Sequence, residues 1–256
     1  HINENSGFVL KAAKKAGIEC RIAHSHLSDL KLDYKYPFRV YARRNLKGNV
    51  SDYFACSKRA GEWLFGKDIS NSGKVTVLNN AVDTEKFRFN EEVRNNIRRK
   101  LDIEGKKVIG HVGRFNPQKN HEFLIDVFNE IYKKDKDIVL LLVGDGYLKE
   151  KIEEKVNKLG LDKSVEFLGV REDIPELMQA MDLFLFPSQF EGLAVVMVEA
   201  QAAGLKVITS TGVTKESDIT NNVEFIDLSK GAEYWADIVL NSDFKKRDDI
   251  NLMVKK

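Results

Sequence analysis

Cysteine is nearly absent from this chain of 256 residues, with Cys20 and Cys56 the whole complement, which excludes the disulfide-dense class of small secreted domains. Each cysteine lies in an apolar run of strand type, where the thiol serves as a small hydrophobe, so both are expected as structural residues in a reducing cytoplasm. No run approaches the roughly 18 consecutive apolar residues that a spanning helix needs. The opening His1-Ile2-Asn3-Glu4-Asn5 is polar and unlike a signal sequence, which leads to the expectation of a soluble or at most peripheral protein. Excess charge is missing too. Lys plus Arg number 41 against 39 Asp plus Glu, a net charge of +2, so no global field dictates nucleic-acid binding. Internal repeats, zinc-type cysteine spacing, a Walker lysine loop and a serine nucleophile elbow are likewise lacking, and those reaction classes lose weight.

What is present is a rhythm of short apolar runs and amphipathic stretches. The runs Val108 to Val112, Ile138 to Val143, Val165 to Leu168, Leu183 to Phe186, Val207 to Ile208 and Glu224 to Ile226 predict a parallel sheet with crossover helices. Helices over Leu148 to Leu159 and Val195 to Ala203 are closed by Gly160 and Gly204, where a left-handed residue ends a helix. Upstream, similar units are expected: helices near Ser6 to Ala16 and Phe38 to Leu46, and strands at Ile18 to Ala23, Tyr53 to Cys56 and Val75 to Leu78. Between the two regions, Asn79 to Gly105 is polar and poor in large apolar residues, which suits a hinge followed by a solvated helix. The chain therefore reads as α/β, with a partial N-terminal domain over 1–85 and a C-terminal doubly wound domain over 86–256. A crossover helix is admitted after residue 230. The first domain supplies too few strands for a complete doubly wound sheet and is expected to lack its opening strands.

In such sheets ligands bind beyond the carboxyl ends of the strands. After Val112 comes Gly113-Arg114-Phe115-Asn116-Pro117-Gln118-Lys119-Asn120, a glycine for close backbone approach followed by two cations, which can hold a diphosphate or form a solvated turn. After Phe186 comes Pro187 to Ala194, entering a helix that contains Glu199. Glu191 and Glu199 could contact a sugar and a ribose, or be a helix-dipole charge and an exposed helix residue. Gly144-Asp145-Gly146 reads as a structural turn, and His111, inside a strand, as a hydrogen-bonded core histidine.

Taken together, Gly113-Arg114 with Lys119, Phe167-Leu168-Gly169, and Glu191 and Glu199 with seven residues between them resemble the donor domain of retaining family-four glycosyltransferases of the GT-B fold, with two Rossmann-like domains. Arg21 to His26 and Tyr53 to Ser57 resemble acceptor-domain segments of bacterial exopolysaccharide and capsule members. The resemblance implies that Arg114 and Lys119 bind the donor diphosphate and stabilise charge on the leaving group. It also implies that Glu191 contacts the donor sugar, Glu199 the ribose, amides near Gly192 and Leu193 phosphate or sugar oxygens, and Val170 the base through its main chain. His1 resembles the family histidine that approaches the reacting sugar, or is a frayed terminus. His24 and His26 face acceptor or serve a turn. Departures are Ala81, where relatives carry glycine in the hinge, Asn120, where glycine often follows the lysine, and the missing glycine-rich opening loop.

The implied activity is transfer of a hexose or N-acetylhexosamine from a nucleotide sugar, UDP-linked by family expectation, to a polysaccharide or lipid-linked acceptor, with no metal and no cofactor. Alternatives are a GT-B sugar-nucleotide epimerase and a catalytically silent nucleotide-binding module. The stretch Lys31 to Lys47 combines Lys35, Arg39, Arg43, Arg44 and Lys47 with Tyr34, Tyr36, Phe38 and Tyr41, a pattern that fits peripheral contact with an anionic membrane face or a merely solvated surface.

Overall fold

The structure, a computed structural model, describes residues 3–26, 36–78, 81–244 and 247. These divide into two compact units, one comprising His1–Ala81 with Phe190–Ala194 and the other Val82–Gln189 with Val195–Lys256.

The first unit carries helices α1 (Ser6–Lys15), α2 (Tyr36–Arg44), α3 (Lys58–Phe65) and α4 (Lys67–Asn71), and strands β1 (Ile22–Ser25), β2 (Asp52–Ala55) and β3 (Val75–Val77). The strands form one parallel sheet in the order β1-β2-β3. Leu10, Ala23, Leu46, Val50 and Leu64 make its core, and a second cluster of Ala55, Cys56 and Ala60 takes Leu193 against it. Ser57 sets the start of α3, its hydroxyl accepting from the Ala60 amide at 3.1 Å, the usual role of serine before a helix.

β1 begins at Ile22, four residues later than the apolar run from Ile18 suggests. The reason is local: Gly17 is left-handed at φ +79°, and the Ile18 amide is spent on the Ala13 carbonyl at 3.0 Å, closing α1. Ile18 and Cys20 are therefore exposed, which corrects the reading of Cys20 as a buried strand residue, whereas Cys56 is buried as expected.

The second unit holds α5 (Thr84–Phe87), α6 (Glu91–Lys100), β4 (Lys107–Val112), α7 (His121–Lys134), β5 (Ile138–Val143), α8 (Lys149–Lys158), β6 (Val165–Gly169), α9 (Ile174–Ala180), β7 (Leu183–Phe186), α10 (Val195–Ala202), β8 (Lys206–Ser210), β9 (Val223–Ile226) and α11 (Gly231–Leu240). The order β6-β5-β4-β7-β8-β9, every described pairing parallel, is that of a doubly wound sheet whose strand order reverses between β4 and β7. All six residues of β5 are buried, as a strand covered on both faces requires. α7 buries Leu124, Ile125, Val127, Phe128 and Ile131, a helical stripe facing that sheet, and α11 packs on α7 within the same unit. Gly160 and Gly204 are left-handed at φ +67° and +73°, as their places after helices predict.

Asp182 ties α6 to the sheet. It is 5% exposed and accepts from the Val108 amide at 2.8 Å, from Arg98 at 2.6 Å, and from Arg94. Arg94 and Arg98 also donate to the Gln179 and Ala180 carbonyls at 2.9 Å, satisfying carbonyls at the α9 carboxyl end that have no partner within the helix. Among the described residues no helix is long and apolar enough to cross a membrane.

Candidate functional site

The loops leaving β4, β5 and β6 are joined through their main chains. The Gly113 amide donates to the Val143 carbonyl at 2.9 Å, Phe115 to Asp145 at 3.0 Å, Leu148 to Phe115 at 3.2 Å, and Gly144 to Gly169 at 2.8 Å. No side chain fits between the first two loops. A Cβ on Gly144 would stand 2.2 Å from the Gly113 carbonyl oxygen, and one on Gly146 would stand 2.5 Å from that of Phe115. The φ of +135° at Gly144 adds a conformation that other residues rarely adopt. The turn read from sequence as structural is thus also what shapes the site.

Over these loops opens a cavity of about 530 Å³, lined by Gly113, Arg114, Gly144, Asp145, Gly146 and Val170, with Arg171 and Ile174 beside them. Its size suits a small ligand. Arg114 is exposed at its rim, and its guanidinium has no hydrogen bond or ion pair among the described residues, so all of its donors remain for an incoming anion. Val170 is 77% exposed, so packing does not account for its side chain. Arg171 is engaged by Asp173 at 2.6 and 2.8 Å.

Lys119 does not line this cavity. Its ammonium lies 4.5 Å from the centroid of the Phe186 ring, a cation–π contact. The loop that carries it is held by Asn116, whose side chain accepts from the Lys119 amide at 3.1 Å. Asn120 is left-handed at φ +58°, the conformation glycine would supply in relatives and one that asparagine tolerates.

Glu199, in α10, is half-buried, and no hydrogen bond or ion pair reaches its carboxylate among the described residues. Burial pushes its pKa up. Glu191, Gly192 and Leu193 group with the first unit. There a Cβ on Gly192 would lie 2.9 Å from the His26 carbonyl oxygen, so this loop meets the ends of β1 and β2, beside the His24 and His26 rings, whose centroids are 4.1 Å apart. His1 lies outside the described residues. No group of three or more His, Cys, Asp or Glu side chains that could hold a metal ion occurs among the described residues.

His111 is the hydrogen-bonded core histidine that the sequence suggests, and a second buried histidine, His121, which the sequence reading did not single out, stands beside it. The His111 Nδ1 meets the Leu185 carbonyl at 2.9 Å, and its ring stands edge-on to His121, centroids 4.7 Å apart. His121 in turn stacks on Phe115 at 4.0 Å. Burial, with Lys119 nearby, pushes the His121 pKa down to about 4. The pKa of His111 is lowered well below the ordinary histidine range by burial first, then by His121 and Lys119.

The sequence matches the family model described as Glycosyl transferases group 1 over residues 93–227, more than half of the chain. It is 35% identical to the glycosyltransferase EpsF of Bacillus subtilis (strain 168) over 93% of this chain and 64% of that protein. It is also 35% identical to the UDP-Gal:alpha-D-GlcNAc-diphosphoundecaprenol alpha-1,3-galactosyltransferase of Escherichia coli over 78% of this chain and 53% of that protein. HepE of Anabaena, solved with UDP and also with UDP-glucose, superposes with a TM-score of 0.80 at 22% identity, covering 98% of this chain and 70% of that one. The fold is that of the GT-B glycosyltransferases, an α/β architecture of parallel sheets. The chain belongs to the group 1 glycosyltransferase family, and it spans 64% and 53% of the lengths of the two curated relatives.

The buried histidines make a pH prediction. The fold holds His121 neutral, whereas the unfolded chain takes up its proton near pH 6.5, so the stability it contributes is full above about 6.5 and is lost as pH falls toward 4. His121→Phe, which keeps the stack on Phe115, is expected to reduce the loss of unfolding free energy between pH 7.5 and 5 by about 2 kcal/mol. Urea titrations at both pH values measure it, and equal losses in the two proteins would contradict the assignment.

Proposed function

We propose that the chain is the donor-binding part, with a portion of the acceptor side, of a retaining glycosyltransferase. In this reading it moves a hexose or N-acetylhexosamine from a nucleotide sugar, UDP-linked, to a saccharide or lipid-linked acceptor in surface polysaccharide assembly. The observation that carries the reading is the cavity at the ends of β4, β5 and β6, walled by main chain at Gly113 and Gly144 and carrying at its rim the Arg114 guanidinium, which has no partner among the described residues. An arginine beside main chain that keeps side chains out of the way is the equipment for a diphosphate.

Arg114 and Lys119 then neutralise charge as the bond between the anomeric carbon and the phosphate oxygen breaks. The acceptor oxygen bonds to the same face of that carbon, and its proton passes to the departing phosphate. Glu199 takes the ribose hydroxyls, Val170 meets the base through its backbone, and Glu191, Gly192 and Leu193 serve the donor sugar. His1 is the acceptor-side histidine. Neither metal nor cofactor is required of these residues, and the reaction is placed at the cytoplasmic face. The curated relatives named as glycosyltransferases support this reading over a sugar-nucleotide epimerase or a silent binding module.

UDP at 100 times its Kd is expected to stabilise the chain by about 2.7 kcal/mol, more than GDP or ADP at the same concentration. Arg114→Ala is expected to weaken UDP binding about tenfold. Thermal unfolding with each nucleotide provides the check, and no shift with any of the three sinks the donor-site reading.

Peripheral membrane contact is proposed for α1 and α2. Phe8 stacks on Phe38 at 5.8 Å and lies 6.1 Å from Tyr41, and Phe38 and Tyr41 are 54% and 58% exposed. Arg44 and Lys47 are exposed, whereas Arg43 is tied to the Trp63 carbonyl at 2.8 Å. Tyr34, Lys31 and Lys35 lie outside the described residues. An aromatic cluster with cations suits an anionic interface, each cation adding about 1 kcal/mol. Replacing Phe38 and Tyr41 by Ala and Arg44 and Lys47 by Ser is expected to weaken co-sedimentation with phosphatidylglycerol vesicles at least about tenfold. Unchanged partitioning would overturn the proposal.

A further inference from the structure

His111 is wholly buried in β4. The Leu185 carbonyl can only accept, so the proton of the neutral ring sits on Nδ1 and Nε2 is a bare acceptor. That Nε2 has no hydrogen-bond partner among the described residues. An orphaned buried acceptor is costly, and a ring needed only for packing against Phe184 and Phe186 could as well be phenylalanine.

The surroundings indicate where the lone pair is used. A Cβ placed on Gly113 would come 3.0 Å from His111 Nε2 and 3.2 and 3.3 Å from Lys119 Cδ and Cε. The imidazole nitrogen and the lysine stem therefore converge on one side of the Gly113 backbone, at the cavity wall. The Lys119 ammonium rests over Phe186, the ring on which His111 is itself stacked, centroids 5.5 Å apart.

We infer that His111 is a positioning residue: when a nucleoside diphosphate occupies the cavity, the Nε2 lone pair accepts one Lys119 N–H and so directs the other donors at the phosphates. This inference rests on the donor-site reading above. Burial beside Lys119 keeps the imidazole neutral, so the lone pair is available wherever the protein is folded near neutral pH. Gly113 must lack a side chain for the two groups to meet beside it, which adds a second reason for that glycine besides close approach to the ligand.

A double-mutant cycle tests the idea in the 256-residue chain, with UDP binding measured by calorimetry at pH 7.5 and one ionic strength. His111→Phe is expected to weaken UDP binding about tenfold when Lys119 is present and less than about twofold in Lys119→Met. His111→Gln, whose side-chain oxygen replaces the acceptor, is expected to recover most of the loss. A purely structural histidine would produce equal losses in both Lys119 backgrounds, and that result, or no loss in either, overturns the inference. Should His111→Phe prove too unstable, the Gln variant carries the test: affinity near that of the unsubstituted chain supports the inference, and a loss equal in both Lys119 backgrounds overturns it. If the unsubstituted chain binds no UDP, the donor-site reading falls and the inference with it, whereas tight binding with uncoupled variants overturns the inference alone.

Discussion

The second unit depends on a backbone-to-backbone contact that admits no side chain. Gly144 lies so close to the Gly113 carbonyl that a Cβ would stand 2.2 Å from it, and amides from both loops cross between them. Because β4 and β5 run parallel in full register from Lys107 against Ile138 to Val112 against Val143, their loops leave the sheet at the same level. The glycines let those loops close into one wall. Arg114 is then presented at the rim by main chain fixed on both sides, which is how a site gains geometric accuracy from a loop.

Much of the second sheet could be read from the sequence because its strands are buried on both faces and so appear as unbroken apolar runs, with Ile138–Val143 the clearest case. Gly160 and Gly204 were also legible, since each occupies a left-handed position at a helix end, whereas the left-handed conformation of Asn120 was not read from the sequence. The start of β1 was not. Ile18 and Cys20 continue an apolar pattern, yet the capping of α1 by Gly17 and Ile18 consumes the residues that would have begun the strand. Nor did the sequence distinguish a turn glycine from one that forms a ligand wall, because both follow a strand, and only the distance from Gly144 to Gly113 separates them. The grouping of Phe190–Ala194 with the first unit is a tertiary fact with no local signature.

Charge in the second unit falls into two kinds. Asp182, Arg94 and Arg98 saturate one another and the carbonyls behind α9, so their role is exhausted by the fold. Among the described residues no hydrogen bond or ion pair reaches the Arg114 guanidinium or the Glu199 carboxylate, and burial raises the Glu199 pKa. A half-buried carboxylate without a partner lowers stability, whereas the exposed Arg114 guanidinium stays solvated. The proposed function assigns a diphosphate to the arginine and hydroxyls to the carboxylate.

The most direct measurement is hydrogen–deuterium exchange of the chain with and without saturating UDP. Binding at the proposed donor site predicts slower exchange concentrated at 113–115, 144–146 and 169–171, the wall of the cavity. Slowing confined to other segments, or an unchanged profile, would contradict the placement of the nucleotide there.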